Sequence, residues 1–454
     1  MTMITRKLLA NQLPVETIAD LKELRFLHHL RTAGIKKRLG FSVSDLFLLI
    51  FSLVFQHRNW FQLLASSKAT DLPGKDAVYR FLNHPCFQWR KFLIGLSADA
   101  MRRVNRLTAR DRIKVLIVDD SMYERNRSKK VELLARLHDH ANQCFYKGFR
   151  MLTLGWSDGH TFLPVDFALL SSSKSKLQEA SEEIDKRTCG WNRRKEALQP
   201  MPRVVETLVK HSLAEGMQAD YLLMDSWFTY APLLTSITSL GLPVIGMVKA
   251  TSQRYQVGKR SVELEELYGL AQPVPGSSSN ILRSIVTSMK PGISVKIIFV
   301  RHRQKKNEWL AILSTDTTLT ETEIIRIYGM RWDIETFFKC VKSLLRLQKE
   351  FQGRSYDMLV SHTTVVFARY ILLSWQHRRS TDERSLGNLF FTMCDEVMTK
   401  DWTEALQQLI RLLDDITRKT SGAVGKFIKK QLSDWFAALP SYIRVLLPNV
   451  MCES

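Results

Sequence analysis

The chain has 454 residues, with 66 Lys and Arg against 45 Asp and Glu, a formal net charge of +21 and a pI near 9.7. A hydrophobic content of 45% excludes intrinsic disorder, and the length predicts two to four domains at ~100–200 residues each. The charge disfavours a specialist for acidic proteins or small anions and favours a polyanion: nucleic acid first, with an anionic membrane surface or plain basic surface chemistry as rivals.

The first residues, MTMITRKLLANQLP, contain no continuous apolar run, so no secretory signal is expected. Residues 1–110 read as a helical, DNA-binding domain. Apolar side chains recur at helical spacing in Leu21 to Leu30, Leu46 to Phe55 and Phe87 to Ala100. Leu46 to Phe55 is the most apolar run, yet about half the ~20 residues a membrane-spanning helix needs. It predicts a buried core helix with Ser44 as its N-cap. Thr70 to Pro85 reads as a turn and a short helix carrying Lys75, Tyr79 and Arg80. With a helix near Trp60 to Leu64 it suggests a helix-turn-helix, although any helical bundle contains such turns.

Residues 111–249 have a different texture. Arg112 to Asp120 is a β-branched apolar run ending in two carboxylates, which predicts a buried strand. The segment Met122 to His140 follows, with Arg125, Arg127, Lys129 and Lys130 placed to meet phosphates. Its His138 and His140 are either metal ligands or part of a polar loop. Phe149 to Trp156 and Thr161 to Leu170 flank Ser157-Asp158-Gly159-His160, a hairpin signature. Arg193, Arg194 and Lys195 read as further phosphate contacts. Pro202 to Gly216 is a helix with a glycine stop, Tyr221 to Met224 a strand ended by Asp225, Ala231 to Leu240 a helix and Leu242 to Val248 a strand. The order predicts an α/β fold, a mixed sheet flanked by helices.

Residues 250–314 read as a β-rich insertion, with the flexible run Gly276 to Ser279, a strand at Val295 to Val300, a basic turn from Arg301 to Lys306 and a strand from Trp309 to Ser314. Residues 315–384 return to helix, including one long helix from Glu321 to Leu347, and residues 385–454 form a C-terminal helical domain. The six cysteines are scattered without a CxxC pair, which argues against a zinc ribbon or disulfide framework and fits a reducing cytoplasm.

Asp119 (with Asp120) and Asp225 stand at the ends of apolar strands, where a carboxylate either binds a hard cation or caps a turn. Tyr328, Arg331, Glu335 and Lys342 follow as Y-x2-R-x3-E-x6-K, and at ~100° per residue they share about 60° of one helix face. Lys339 borders the same stripe. Helical ion pairs account for the charges. A metal-dependent phosphodiester site accounts for each residue type: Asp119, Asp225 and Glu335 around the ions, Arg331 and Lys342 on phosphates, Tyr328 donating to one.

This signature resembles that of insertion-sequence DDE transposases of the insertion sequence family four type, and all four of its positions are matched. Val118-Asp119-Asp120-Ser121 resembles that family's hydrophobic-D-x-[ST] motif, and Asp225-Ser226-Trp227-Phe228 its second-Asp motif. The resemblance covers about Lys114 to Ser361. It implies an RNase H-like core in two parts, residues 111–249 and 315–384, interrupted by the insertion. It implies Asp119, Asp225 and Glu335 as catalytic, metal-binding residues for two Mg²⁺ ions, with Mn²⁺ as a substitute. It also implies double-stranded DNA as partner (inverted-repeat ends and target), a homodimeric synaptic complex, and cut-and-paste chemistry ending in 3′-OH strand transfer. Trp309, nineteen residues before Tyr328, falls where the family has a tryptophan that stacks on a flipped base; an ordinary core tryptophan is the other reading. Alternation sends Asp119 and Asp120 to opposite faces, and Asp119 fits D-x-[ST] better, with Asp120 as alternate. Two other functions stay open: a metal-dependent nuclease without strand transfer, and a DNA-binding protein descended from a transposase. The C-terminal helices either dimerise or pack within the chain.

Overall fold

Apolar spacing at the N-terminus folds as a stack of short helices. A computed structural model describes residues 13–66, 72–139, 143–274, 280–290, 292–302, 305, 308–379, 384–420 and 422–439. Thr70, His140, Gly276 to Ser279, Arg303, Gln304, Lys306 and Cys452 therefore lie outside the described residues. Helices α1 (Val15–Glu23) and α2 (Phe26–Thr32) divide the expected Leu21–Leu30 helix, because Arg25 adopts a left-handed backbone at φ 53°. Helix α3 (Val43–Ser52) is the buried apolar helix. Its cap is Ser42 and not Ser44: the Ser42 Oγ accepts the Asp45 N–H at 3.1 Å. Helices α4 (Trp60–Leu64), α5 (Lys75–Leu82) and α6 (Trp89–Arg106) complete this part.

Strand β1 (Val115–Glu124) runs past both carboxylates, so Asp119 and Asp120 lie within the strand and not at its end. β2 (Ala135–Asp139) occupies part of the expected polar loop and places His138 in a strand. β3 (Cys144–Ser157) and β4 (Phe162–Leu170) form the hairpin. In its turn the buried Asp158 carboxylate accepts the backbone N–H of His160 (3.0 Å) and Thr161 (2.8 Å), and Gly159 takes φ 83°. Helices α7 (Cys189–Glu196) and α8 (Met201–Ala214), strand β5 (Tyr221–Met224), helix α9 (Ala231–Thr238) and strand β6 (Val244–Val248) follow.

Next come β7 (Tyr255–Val257), β8 (Arg260–Val262), helix α10 (Leu264–Leu270), β9 (Gln272–Pro273), β10 (Ile281–Met289), β11 (Ile293–Arg301) and β12 (Trp309–Ser314). All these strands join one mixed sheet, in the order β2-β3-β1-β5-β6-β12-β11-β10-β7-β8, with β4 beside β3 and β9 beside β10. β1 is antiparallel to β3 and parallel to β5, β5 is parallel to β6, and β12 returns antiparallel to β6.

The long helix expected from Glu321 to Leu347 is two: α11 (Glu321–Gly329) and α12 (Trp332–Ser343). Tyr328 is on the first and Glu335 on the second, so the signature residues do not share one helix. Helix α13 (Tyr356–Arg379) is the one described helix long and apolar enough to cross a membrane, and its apolar stretch is buried throughout. Arg369, fully buried on α13, donates to the carbonyls of Ile50 (2.5 Å) and Phe51 (2.9 Å) and to the buried Glu350 (2.6 and 3.0 Å), which His362 also contacts at 2.7 Å. One guanidinium thus ties the N-terminal helices to the core. Arg193 and Arg194 are likewise buried: both bind Asp357 (2.6 and 2.8 Å), and Arg194 binds Glu132 (2.6 Å). Buried partners replace the phosphates expected for them. Helices α14 (Leu386–Lys419) and α15 (Ala423–Ala438) end the described chain.

Candidate active site

Buried parallel strands position the first two carboxylates. Val118 of β1 is paired with Met224 of β5, so the next residues in line, Asp119 and Asp225, fall on neighbouring strands at the same level. Apolar neighbours on β1 and β5 bury the strands and fix this register. The third carboxylate arrives from above. Ile334, Phe337, Phe338 and Val341 pack α12 onto the core, leaving Glu335 and Lys342 half-buried toward β1. The start of α12 is pinned by Ser157, whose hydroxyl donates to Asp333 at 2.6 Å.

Arg331 links the set. Its Nη1 donates to Asp119 at 2.9 Å and its Nη2 to Glu335. Lys342 donates to the Ser121 hydroxyl at 2.7 Å, two residues along the same face of β1 as Asp119. The Tyr328 hydroxyl is buried beside Arg331 without a well-formed hydrogen bond. Burial pushes the Asp119 carboxyl up to about 7; Arg331 opposes this, and the charges of Asp120 and Asp225 add to it. Burial also raises the Tyr328 phenol, with Asp225 and Asp119 acting in the same direction, and lowers the Lys342 ammonium. Asp120 turns the other way and meets Arg150 at 3.4 Å.

The structure therefore brings together Asp119, Asp225, Tyr328, Arg331, Glu335 and Lys342. Lys339 is exposed on α12, without a contact to them. Trp309 opens β12, where Tyr268 stacks on it (5.0 Å, 12°) and Phe299 meets it edge-on at 5.0 Å. Trp227 went unassigned in the sequence: it is 56% exposed, two residues after Asp225, with Lys249 at 5.3 Å from its ring. Ser157 was also missed, because 176 positions separate it from Asp333 and no local pattern marks the pair.

Three carboxylates form an all-oxygen donor set suited to a hard cation. The Asp119 carboxyl is raised chiefly by burial, against the pull of Arg331, and a divalent ion beside it would favour its ionised form. Among the described residues no three carboxylate, imidazole or thiol side chains stand close enough to share an ion, and Arg331 lies between Asp119 and Glu335. The residues fit a metal in donor type, and Arg331 would have to leave Asp119 and Glu335 before the three carboxylates could share an ion.

Two family models match the chain: DDE superfamily endonuclease over residues 59–271 and Transposase DDE domain over residues 193–371. No curated protein matches. Among solved structures, the Drosophila P element transposase strand transfer complex is similar at 10% identity, over 91% of this chain and 85% of that one, with a TM-score of 0.21. The family matches support a DDE transposase, an enzyme of the endonuclease and transposase class.

Proposed function

We propose that this DDE protein is a cut-and-paste DNA transposase of the insertion sequence family four type. One observation carries the reading: Asp119 and Asp225 follow paired residues of parallel strands, and Arg331 joins Asp119 to Glu335 of the helix, beside Lys342 and a buried phenol without a well-formed hydrogen bond. The antiparallel β4-β3-β1 run followed by parallel β5 and β6 supports an RNase H-like core.

Asp119, Asp225 and Glu335 would hold two Mg²⁺ ions, with Mn²⁺ as substitute, and when bound the ions would activate the attacking oxygen and steady the leaving one. The chain's own part is positioning. Arg331 turns its fork from the carboxylates to a scissile-region phosphate. Lys342, fixed by Ser121, neutralises a second phosphate. Tyr328 donates to a phosphate oxygen and satisfies its hydroxyl. The same arrangement serves water in end cleavage and the freed 3′-OH in strand transfer, since both are in-line displacements at phosphorus. Pairing of two ends calls for a homodimer. The apolar side chains exposed on α14 and α15, including Trp402 (81%) and Phe427 (63%), support association of two copies.

The test uses a duplex made from the DNA that flanks the coding sequence. Wild-type protein with Mg²⁺ should nick at the element boundary and join a pre-cut end to a plasmid. Glu335→Ala should bind the end and do neither. No cutting by wild-type protein overturns the reading, and cutting without joining reduces it to a nuclease.

A further inference from the structure

We propose that a second, separate pocket binds a phosphate of the DNA backbone. It is a cavity of about 460 Å³ where the loop before β1, the β3–β4 turn and the end of α13 meet. Arg112, His160, His377 and Arg378 line it, with the hydroxyl-bearing Thr108 and Thr161. Arg379 stands at its rim, already paired with Asp20.

The donors in this cavity exceed the acceptors. Asp158, buried next to the lining residues, already accepts two backbone N–H groups, the Thr108 hydroxyl at 3.2 Å and Arg378 at 3.3 Å, and Arg378 also donates to the Thr108 hydroxyl at 2.6 Å. The Arg112 guanidinium, a third exposed, approaches Asp158 only to 3.8 Å and makes no hydrogen bond to another described residue. The His160 ring makes no hydrogen bond to a described residue, although its charge acts on Asp333, and the His377 ring has no partner among the described residues. A partly enclosed guanidinium with free N–H groups, beside two imidazoles and the Thr161 hydroxyl, matches a tetrahedral oxyanion, while the Thr108 hydroxyl is held by Val104 and Arg378.

Position selects DNA as the source of that phosphate. The pocket opens at the start of β1, where Val115 is paired with Ser157. Asp119 is four residues further, so the two places are about 13 Å apart along the strand at ~3.3 Å per residue. That equals about four base-pair rises of ~3.4 Å. The His160 turn also touches the α11–α12 junction: a methyl on Gly159 would lie 3.5 Å from Met330, next to Arg331. A strand lying in the active site would reach the pocket with flanking backbone. This rests on DNA as the substrate, the reading given above.

The test is equilibrium binding of the full chain to a short duplex of arbitrary sequence, without Mg²⁺, across a salt series. Arg112→Gln should lower the slope of log affinity against log salt by about 0.9, one phosphate. The loss of affinity between 50 and 200 mM salt should then shrink by roughly three- to fourfold. Lys210→Gln, on the exposed side of α8 and paired with Glu206, should leave the slope unchanged. An unchanged Arg112→Gln slope, with an unaltered unfolding midpoint, overturns the proposal, and so does an equal drop in both variants. If pyrophosphate raises the unfolding midpoint of wild type but not of Arg112→Gln while the DNA slopes agree, the pocket takes a free phosphate and DNA is overturned as its source. Cleavage enters none of these readouts, so a failed transposase reading would be seen separately.

Discussion

Asp119 and Glu335 share one guanidinium, that of Arg331, although 216 positions separate them. The arginine neutralises carboxylates that repel one another, and it must yield Asp119 for a cation to bind there. Two roles therefore separate by mutation. Asp119→Asn should abolish both Mn²⁺ binding and end cleavage. Arg331→Ala should bind Mn²⁺ at least as tightly as wild type, yet cleave about 10²- to 10³-fold more slowly because a phosphate contact is lost. Mn²⁺ titration followed by electron paramagnetic resonance, beside single-turnover cleavage, checks this. Loss of Mn²⁺ binding in Arg331→Ala would show that the arginine builds the site.

Arg193 and Arg194 distinguish burial from charge. Arg194 sits between Asp357 and Glu132, and removing it leaves Glu132 unpaired beside a buried carboxylate. Arg194→Ala should cost about 3–5 kcal/mol of stability. The salt slope of DNA binding, measured below the lowered unfolding midpoint, should stay at the wild-type value. A shallower slope would return Arg194 to the DNA surface.

The Glu350–His362–Arg369 cluster gives a signed pH effect. Burial lowers the His362 pKa below the usual histidine range, more than Glu350 raises it. The unfolded chain then binds a proton below about pH 6.5 that the native chain refuses. Stability from this group is complete above that pH and is lost as pH falls, by up to ~1.4 kcal/mol per unit. Asp119 runs the other way: its raised carboxyl makes stability fall as pH climbs from about 4 to about 7. The comparison isolates the histidine. His362→Gln, which keeps an amide donor for Glu350, should show a smaller loss than wild type between pH 6.5 and 5. Parallel unfolding midpoints across that range would refute the assignment.

Much of the catalytic half was legible because its signals are local. The strand ending in Asp225, the Asp158-Gly159 hairpin and the Tyr328 to Lys342 spacing each sit within one segment. The elements that misled depend on distant chain. β2 looked like a polar loop because its stabilising partner is β3, and its composition alone does not favour a strand. Arg193 and Arg194 looked solvent-facing because Asp357 lies more than 160 positions away. The break between α11 and α12 follows Gly329, a local signal that the shared helical spacing of Tyr328, Arg331 and Glu335 outweighed, because Met330 and Arg331 keep helical backbone angles. Trp309 could be placed on β12 but not oriented, since Tyr268 and Phe299 come from other elements.

Tyr328 offers the most sensitive reading of how the site meets its substrate. Its hydroxyl is buried among Arg331, Asp119 and Asp225 without a well-formed bond, a cost that a phosphate oxygen would remove. Burial, Asp225 and Asp119 favour the phenol's protonated form against the pull of Arg331, which suits a hydrogen-bond donor to phosphate. Tyr328→Phe removes an unsatisfied group from the free protein, so its unfolding midpoint should hold or rise slightly. A hydrogen bond to a charged oxygen is worth about 1.5–3 kcal/mol. Single-turnover cleavage should therefore fall about 10- to 100-fold and remain measurable, with end binding less affected. Complete loss of cleavage in a folded, end-binding Tyr328→Phe protein would instead make the hydroxyl a participant in the chemistry.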